Sequence, residues 1–331
     1  DASREEHFTT HKFLEASSRG DNRGTQVSAT WHCRWSYPGD GPSVAPRLLS
    51  IGLEAFELVE IRACRHEPDQ SYSLKDGKPI DFEFLAMKFD TDEGMSVETF
   101  GFAGRSALAM GAVSAELLRP FFLGRDPDYR EQHWHDYRRF NRAWNFTPAY
   151  AYAPYDIACH LAQAQKAGLP LYKHLGAVRD SVPIYGSSLT LPTAEAYAQE
   201  AKELQAKGWA AYKLHPPADI GIAFEAHRAC REAVGPDFRL MSDPVSNFNF
   251  QQNLHFGKML EELNYYWLEE PMFDECHGSM RELTRQLRIP IVGGETAENH
   301  PAGVAELVAT RAVDIVPGDA GWTGTITGLK D

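Results

Sequence analysis

The chain has 331 residues, 43% of them hydrophobic and 24% charged, with 46 acidic against 33 basic side chains and a formal net charge of −13. That length exceeds what one hydrophobic core usually holds, so two folding units are expected, and the composition excludes disorder throughout. The negative balance, with no basic stripe carrying aromatics, argues against nucleic acid as a partner, and no apolar run approaches the ~20 residues of a membrane span.

Residues 1–55 are rich in His, Arg, Ser and Gly and sustain no period of 2 or 3.6, so an irregular N-terminal extension is expected there. From Glu57 the pattern alternates as in a strand, and it does so again from Phe82 up to a turn at Asp90-Thr-Asp-Glu-Gly. Two antiparallel strands joined by a mobile loop at 66–80 follow from this. Helical periodicity then covers about 106–119, 129–143 and 149–167, the last closed by Gly168 and Pro170. Residues 56–180 therefore read as an α+β capping domain.

Beyond Val182 short β-branched or aromatic runs alternate with helical stretches such as 194–207 and 221–234. This alternation implies parallel strands with crossover helices, in a closed barrel or a doubly wound sheet. Asp243, Glu269, Glu295 and Asp319 end four successive runs, at spacings of 26 (269−243), 26 (295−269) and 24 (319−295). In a barrel, residues at the C-terminal ends of different strands converge on one mouth. Gathered carboxylates need a hard divalent cation to stay ionised together, and oxygen-only ligands favour magnesium or manganese over zinc. The competing use of each acid is as a helix N-cap. Glu270 is the ambiguous member, because it neighbours Glu269 and strand alternation allows only one of the two to point into the barrel.

One strand earlier Lys213 and His215 share a strand face and aim at the same mouth. A lysine and a histidine above a metal-bound carboxylate suit removal of an α-proton, with the lysine pKa lowered by the neighbouring cation. The five cysteines, Cys33, Cys64, Cys159, Cys230 and Cys276, are dispersed and form no CxxC pair, which points to a reducing, cytoplasmic setting.

Tyr212-Lys-Leu-His, Ser242-Asp-Pro, Trp267-Leu-Glu-Glu-Pro, Gly293-Gly-Glu and Gly318-Asp-Ala-Gly-Trp-Thr-Gly, in this order and spacing, resemble the barrel motifs of the mandelate racemase branch of the enolase superfamily. Ala153-Pro-Tyr-Asp-Ile-Ala-Cys-His, with Gly168-Leu-Pro-Leu-Tyr-Lys-His-Leu-Gly, is similar to the helix entering that barrel. The resemblance implies an α/β fold: a modified (β/α) TIM-type barrel over 181–331, under the N-terminal α+β cap. It implies Mg2+ held by Asp243, Glu269 and Glu295, with Lys213, His215 and Asp319 catalytic, His215 as the base and Asp319 serving the opposite face through a histidine on the next strand. His215 stands where the family usually has a second lysine, and Val245 where many members have a polar residue. Asp331 follows Asp319 by 12 residues (331−319), so a barrel of about six strands, truncated at the C-terminus, is expected. The implied function is an acid-sugar (aldonate or aldarate) dehydratase acting on a small carboxylate, as a homo-oligomer. A racemase or epimerase of a 2-hydroxy or amino acid, and a catalytically inactive truncated barrel, are the alternatives.

Overall fold

The computed structural model describes residues 82–330 apart from 93, 104–105, 146, 298–300 and 323, together with the strand segments His7–Thr10, Leu14–Ala16, Thr25–Val27, Trp31–Ser36, Arg47–Leu48 and Phe56–His66. The 66–80 loop lies, but for His66, outside the described residues. Two units emerge, one of Asp1–Ser71, Asp81–Ala177 and Ala320–Asp331, the other built on Val178–Asp319. The stretch expected to be irregular holds five strands of two to six residues, three of which share a sheet. Runs that short give periodicity nothing to act on.

In the first unit β1 (Phe56–His66), β2 (Phe82–Thr91) and β3 (Ser96–Phe102) form an antiparallel meander. The expected pair is there, and β3 is an addition to it. On β2, Leu85, Met87, Phe89 and Thr91 face inward, with partly exposed residues between them, as a period of two requires. They pack under α1 (Ala107–Val113), its π-helical continuation Ser114–Leu118, α2 (Arg130–Phe140) and α3 (Ala149–Lys166). Aromatic rings fill this core: Tyr137 stacks on Tyr152 at 4.1 Å, and Phe89 meets Tyr155 edge-on at 5.3 Å. Gly101 of β3 abuts the helix at Pro154, where a Cβ on residue 101 would lie 2.6 Å from the proline Cγ.

Ala320–Asp331, expected within the barrel domain, instead groups with this unit. The contacts explain why. Thr327 donates its backbone N–H to Asp156 Oδ2 at 3.0 Å and its hydroxyl oxygen lies 3.0 Å from His160 Nε2, both on buried α3. Trp322 also stacks on Tyr150 at 4.8 Å.

In the second unit β4 (Gly186–Ser187), β5 (Ala211–Leu214), β6 (Arg239–Ser242), β7 (Leu268–Glu269) and β8 (Ile291–Val292) form one parallel sheet in unbroken sequence order. A doubly wound sheet reverses its order at a switch point, whereas a barrel wall advances one strand at a time, so this is barrel topology. The crossover helices are α4 (Ala194–Ala206), α5 (Ile220–Val234), α6 (Phe250–Glu262), α7 (His277–Gln286) and α8 (Pro301–Ala309). Thr193, Asp219 and Asn249 cap the first three through their side chains. The expected sixth strand shrinks to a single parallel bridge between Ile315 and Val292. Pro317, which has no N–H to donate, and Gly318 stop it there. Among the described residues no single helix is long and apolar enough to cross a membrane.

Candidate active site

The strands of the second unit deliver their polar residues where parallel pairing ends. Asp243 follows β6 by one residue, Glu269 closes β7, and Lys213 lies in β5 with His215 just past its end. The backbone continues the sheet through them: Asp243 N–H donates to the Leu214 carbonyl at 2.8 Å and Ser188 N–H to that of Lys213 at 2.9 Å. Asp243 and Glu269 are not spent on caps, because α6 is capped by Asn249 and α7 starts after Cys276.

Four of the six expected residues touch. Lys213 Nζ lies 3.0 Å from Asp243 Oδ2 and 3.0 Å from Glu269 Oε2. His215 Nε2 lies 3.0 Å from the same Asp243 oxygen, and its Nδ1 is 2.7 Å from the Ser188 carbonyl. The ring is held from behind, since Tyr197 of α4 donates to the His215 carbonyl at 2.7 Å and Ser188 Oγ accepts the His215 N–H at 2.9 Å. Trp267 Nε1–H donates to Glu269 Oε2 at 3.0 Å and packs edge-on to Tyr185, whose ring lies 5.9 Å from Lys213 Nζ. Lys213, Asp243 and Glu269 are all buried.

Glu295, three residues beyond β8, and exposed Asp319 join by charge. Burial lifts the Glu295 pKa, Lys213 lowers it, and Asp243, Glu269 and Asp319 raise it again. Among the described residues no three His, Cys, Asp or Glu side chains stand close enough to enclose a metal ion. The Lys213 ammonium sits between Asp243 and Glu269 instead. Burial pushes its pKa down, but the two carboxylates outweigh that and leave it raised, opposite to the lowering expected beside a cation. Burial also acts upward on Asp243, where hydrogen bonds from His215 and Lys213 win and hold it low. Glu269 stays raised by burial and by Asp243.

Strand alternation allows only one of Glu269 and Glu270 to point inward, yet both are buried. Glu270 has a φ of +40° that breaks the alternation, and its Oε1 has no hydrogen-bond partner. Burial, then the charges of Asp243, Glu295, Asp274 and Glu269, push its pKa up to about 8. Val245 and Ser246 likewise have φ of +48° and +53°, and the Val245 N–H donates to Asp243 Oδ1 at 3.1 Å. The doubled Glu-Glu before Pro271 was the available sequence signal for Glu270. The acids thus exceed the two local bases, and an orphaned, buried carboxylate oxygen remains. Such a hard, all-oxygen donor set with uncompensated negative charge fits a divalent cation of the magnesium type.

A wall of sequential parallel strands with acids, a lysine and a histidine at their C-terminal ends is the arrangement of a (β/α)-barrel enzyme site. Residues 196–331 match the family described as enolase C-terminal domain-like. Arabinonate dehydratase of Saccharolobus solfataricus is 28% identical over 258 residues, which cover 74% of this chain and 67% of that one. L-talarate/galactarate dehydratase of Salmonella typhimurium is 32% identical over 183 residues, 54% of this chain and 45% of the relative. Among solved structures, D-glucarate dehydratase of Agrobacterium tumefaciens complexed with magnesium is similar at 29% identity and a TM-score of 0.72, covering 82% of this chain and 75% of that one.

Proposed function

We propose that this chain is an Mg2+-dependent acid-sugar dehydratase that takes the α-proton from an aldonate or aldarate and expels a β-hydroxyl. The observation that carries the reading is the contact of Lys213 and His215 with one oxygen of Asp243, which puts candidate bases and candidate ligands in one cluster. Asp243, Glu269 and Glu295 would hold the cation. When bound, it neutralises negative charge that grows on the substrate carboxylate as the proton leaves. The similar relatives named for acid-sugar dehydration support the substrate class.

In this reading the chain's own groups divide the work. Ser188 accepts a hydrogen bond from His215 Nδ1, so Nε2 is the nitrogen turned toward the acids and the one that receives the α-proton. Lys213 keeps its charge and orients the substrate carboxylate, with the Tyr185 ring 5.9 Å from its ammonium. Asp319 is assigned proton handling on the opposite face.

The test is incubation of the purified chain and Mg2+ with a panel of aldonates and aldarates in D2O. Release of a 2-keto-3-deoxy acid is the expected result. Absence of both α-deuterium uptake and keto product across the panel, in protein shown to bind Mg2+, would sink the proposal. Inversion of the α-carbon without loss of water would assign a racemase instead.

A further inference from the structure

We propose that Asp274 is a positioning residue that aims Glu295 at the cation; the inference rests on the reading of Glu295 as a ligand. Asp274 lies in the connection between β7 and α7 and is buried, at 3% exposure. Both of its carboxylate oxygens are committed to the next loop. Oδ1 accepts the Gly294 N–H at 2.8 Å, and Oδ2 accepts the Thr296 N–H at 3.0 Å and the Thr296 hydroxyl at 2.9 Å. One carboxylate therefore grips the residues immediately before and after Glu295.

The loop is built for that grip. Gly294 has a φ of +110°, where a side chain is strained, and Gly293 leaves so little room that a Cβ would sit 2.8 Å from Met280 Cε and 3.3 Å from Asp274 Oδ1. With both flanking amides fixed, the Glu295 backbone cannot rotate freely, and its side chain has only its own torsions left. Asp274 also ties the chain that carries Glu269 and Glu270 to the chain that carries Glu295, so it sets the spacing of acids from two strands. Charge-assisted hydrogen bonds from backbone N–H to carboxylate are the strong kind, and the one from Gly294 is buried. Outer partners of metal ligands typically contribute 10- to 100-fold in metal affinity.

The experiment is calorimetric titration with Mg2+ alone, and Mn2+ electron paramagnetic resonance, on wild type, Glu295→Gln, Asp274→Asn, Thr296→Val and the double variant Glu295→Gln/Asp274→Asn. An asparagine keeps only one acceptor oxygen, so Asp274→Asn should weaken Mg2+ at least about tenfold and broaden the Mn2+ lines while circular dichroism stays native. Thr296→Val, which removes one exposed hydroxyl, should weaken it roughly two- to tenfold. Adding Asp274→Asn to Glu295→Gln should cost no further affinity, whereas a purely structural role would cost the same again. If Asp274→Asn fails to fold, Thr296→Val decides. Wild-type affinity in Glu295→Gln would remove the ligand reading and this proposal with it. Weakening in Glu295→Gln, with wild-type affinity in folded Asp274→Asn or, failing that, in Thr296→Val, would overturn the positioning role alone.

Discussion

His215 and Asp243 meet through single atoms, Nε2 to Oδ2 at 3.0 Å, while the far side of the imidazole rests 2.7 Å from the Ser188 carbonyl. A carbonyl oxygen can only accept, so Nδ1 carries the hydrogen given to Ser188 and Nε2 is the nitrogen turned toward the acids.

His215→Asn should therefore remove most turnover, on the order of the 10²- to 10⁴-fold given by a positioned general base. Melting and Mg2+ affinity should change little, because the asparagine amide can still donate toward Asp243. Retention of wild-type α-proton exchange in D2O would show that another group is the base.

Lys213 is the counter-ion of two buried carboxylates, so Lys213→Met leaves like charges facing each other without compensation. In EDTA the variant should lose about 3–5 kcal/mol of stability, the usual cost of deleting one partner of a buried pair. Saturating Mg2+ should then raise its melting temperature more than it raises that of wild type. Equal melting of the two proteins in EDTA would show that the ammonium is not what neutralises Asp243 and Glu269.

Glu270 makes stability depend on pH. Its folded pKa of about 8 stands above the ordinary carboxylate value of 4.5, so the native state holds a proton that the unfolded chain has released. Stability from this residue is thus fully present below pH 4.5 and is lost as pH rises through 8. In metal-free protein Glu270→Gln should melt higher than wild type at pH 8 by a few kcal/mol, and the gap should close toward pH 5. A gap that does not vary across this range would refute the assignment.

Val245 holds a β-branched side chain in left-handed backbone, and half of that side chain is in solvent. Asparagine tolerates this conformation and keeps the N–H that serves Asp243. Val245→Asn should stabilise the chain by about 1 kcal/mol, or roughly 2–4 °C in melting. A lower melting temperature would mean that the valine packing outweighs the strain.

Barrel strands and helices were legible because their signals repeat: α4 and α5 fall within a residue or so of the periodic stretches, and the acids keep their phase. The departures have local causes. On β3 the large residues Phe100 and Phe102 face outward and the smaller Val97 and Gly101 face inward, the reverse of the usual hydrophobic alternation. Glu270 eluded the period-of-two argument because one left-handed residue ends the strand geometry before that argument applies. The grouping of Ala320–Asp331 with α3 depends on Thr327 meeting Asp156 and His160, over 160 residues apart in sequence, which no local pattern records.

The fit of Gly101 against Pro154 bears on which substitutions the chain can accumulate. Glycine is a poor strand former, so position 101 looks like a place where any β-branched residue would be an improvement. The proline ring turns that preference around, since even a methyl group would wedge the strand off its helix. In a library of single variants, position 101 should accept nothing larger than hydrogen, while the aromatic residues on either side, 72% and 40% exposed, give way to polar ones.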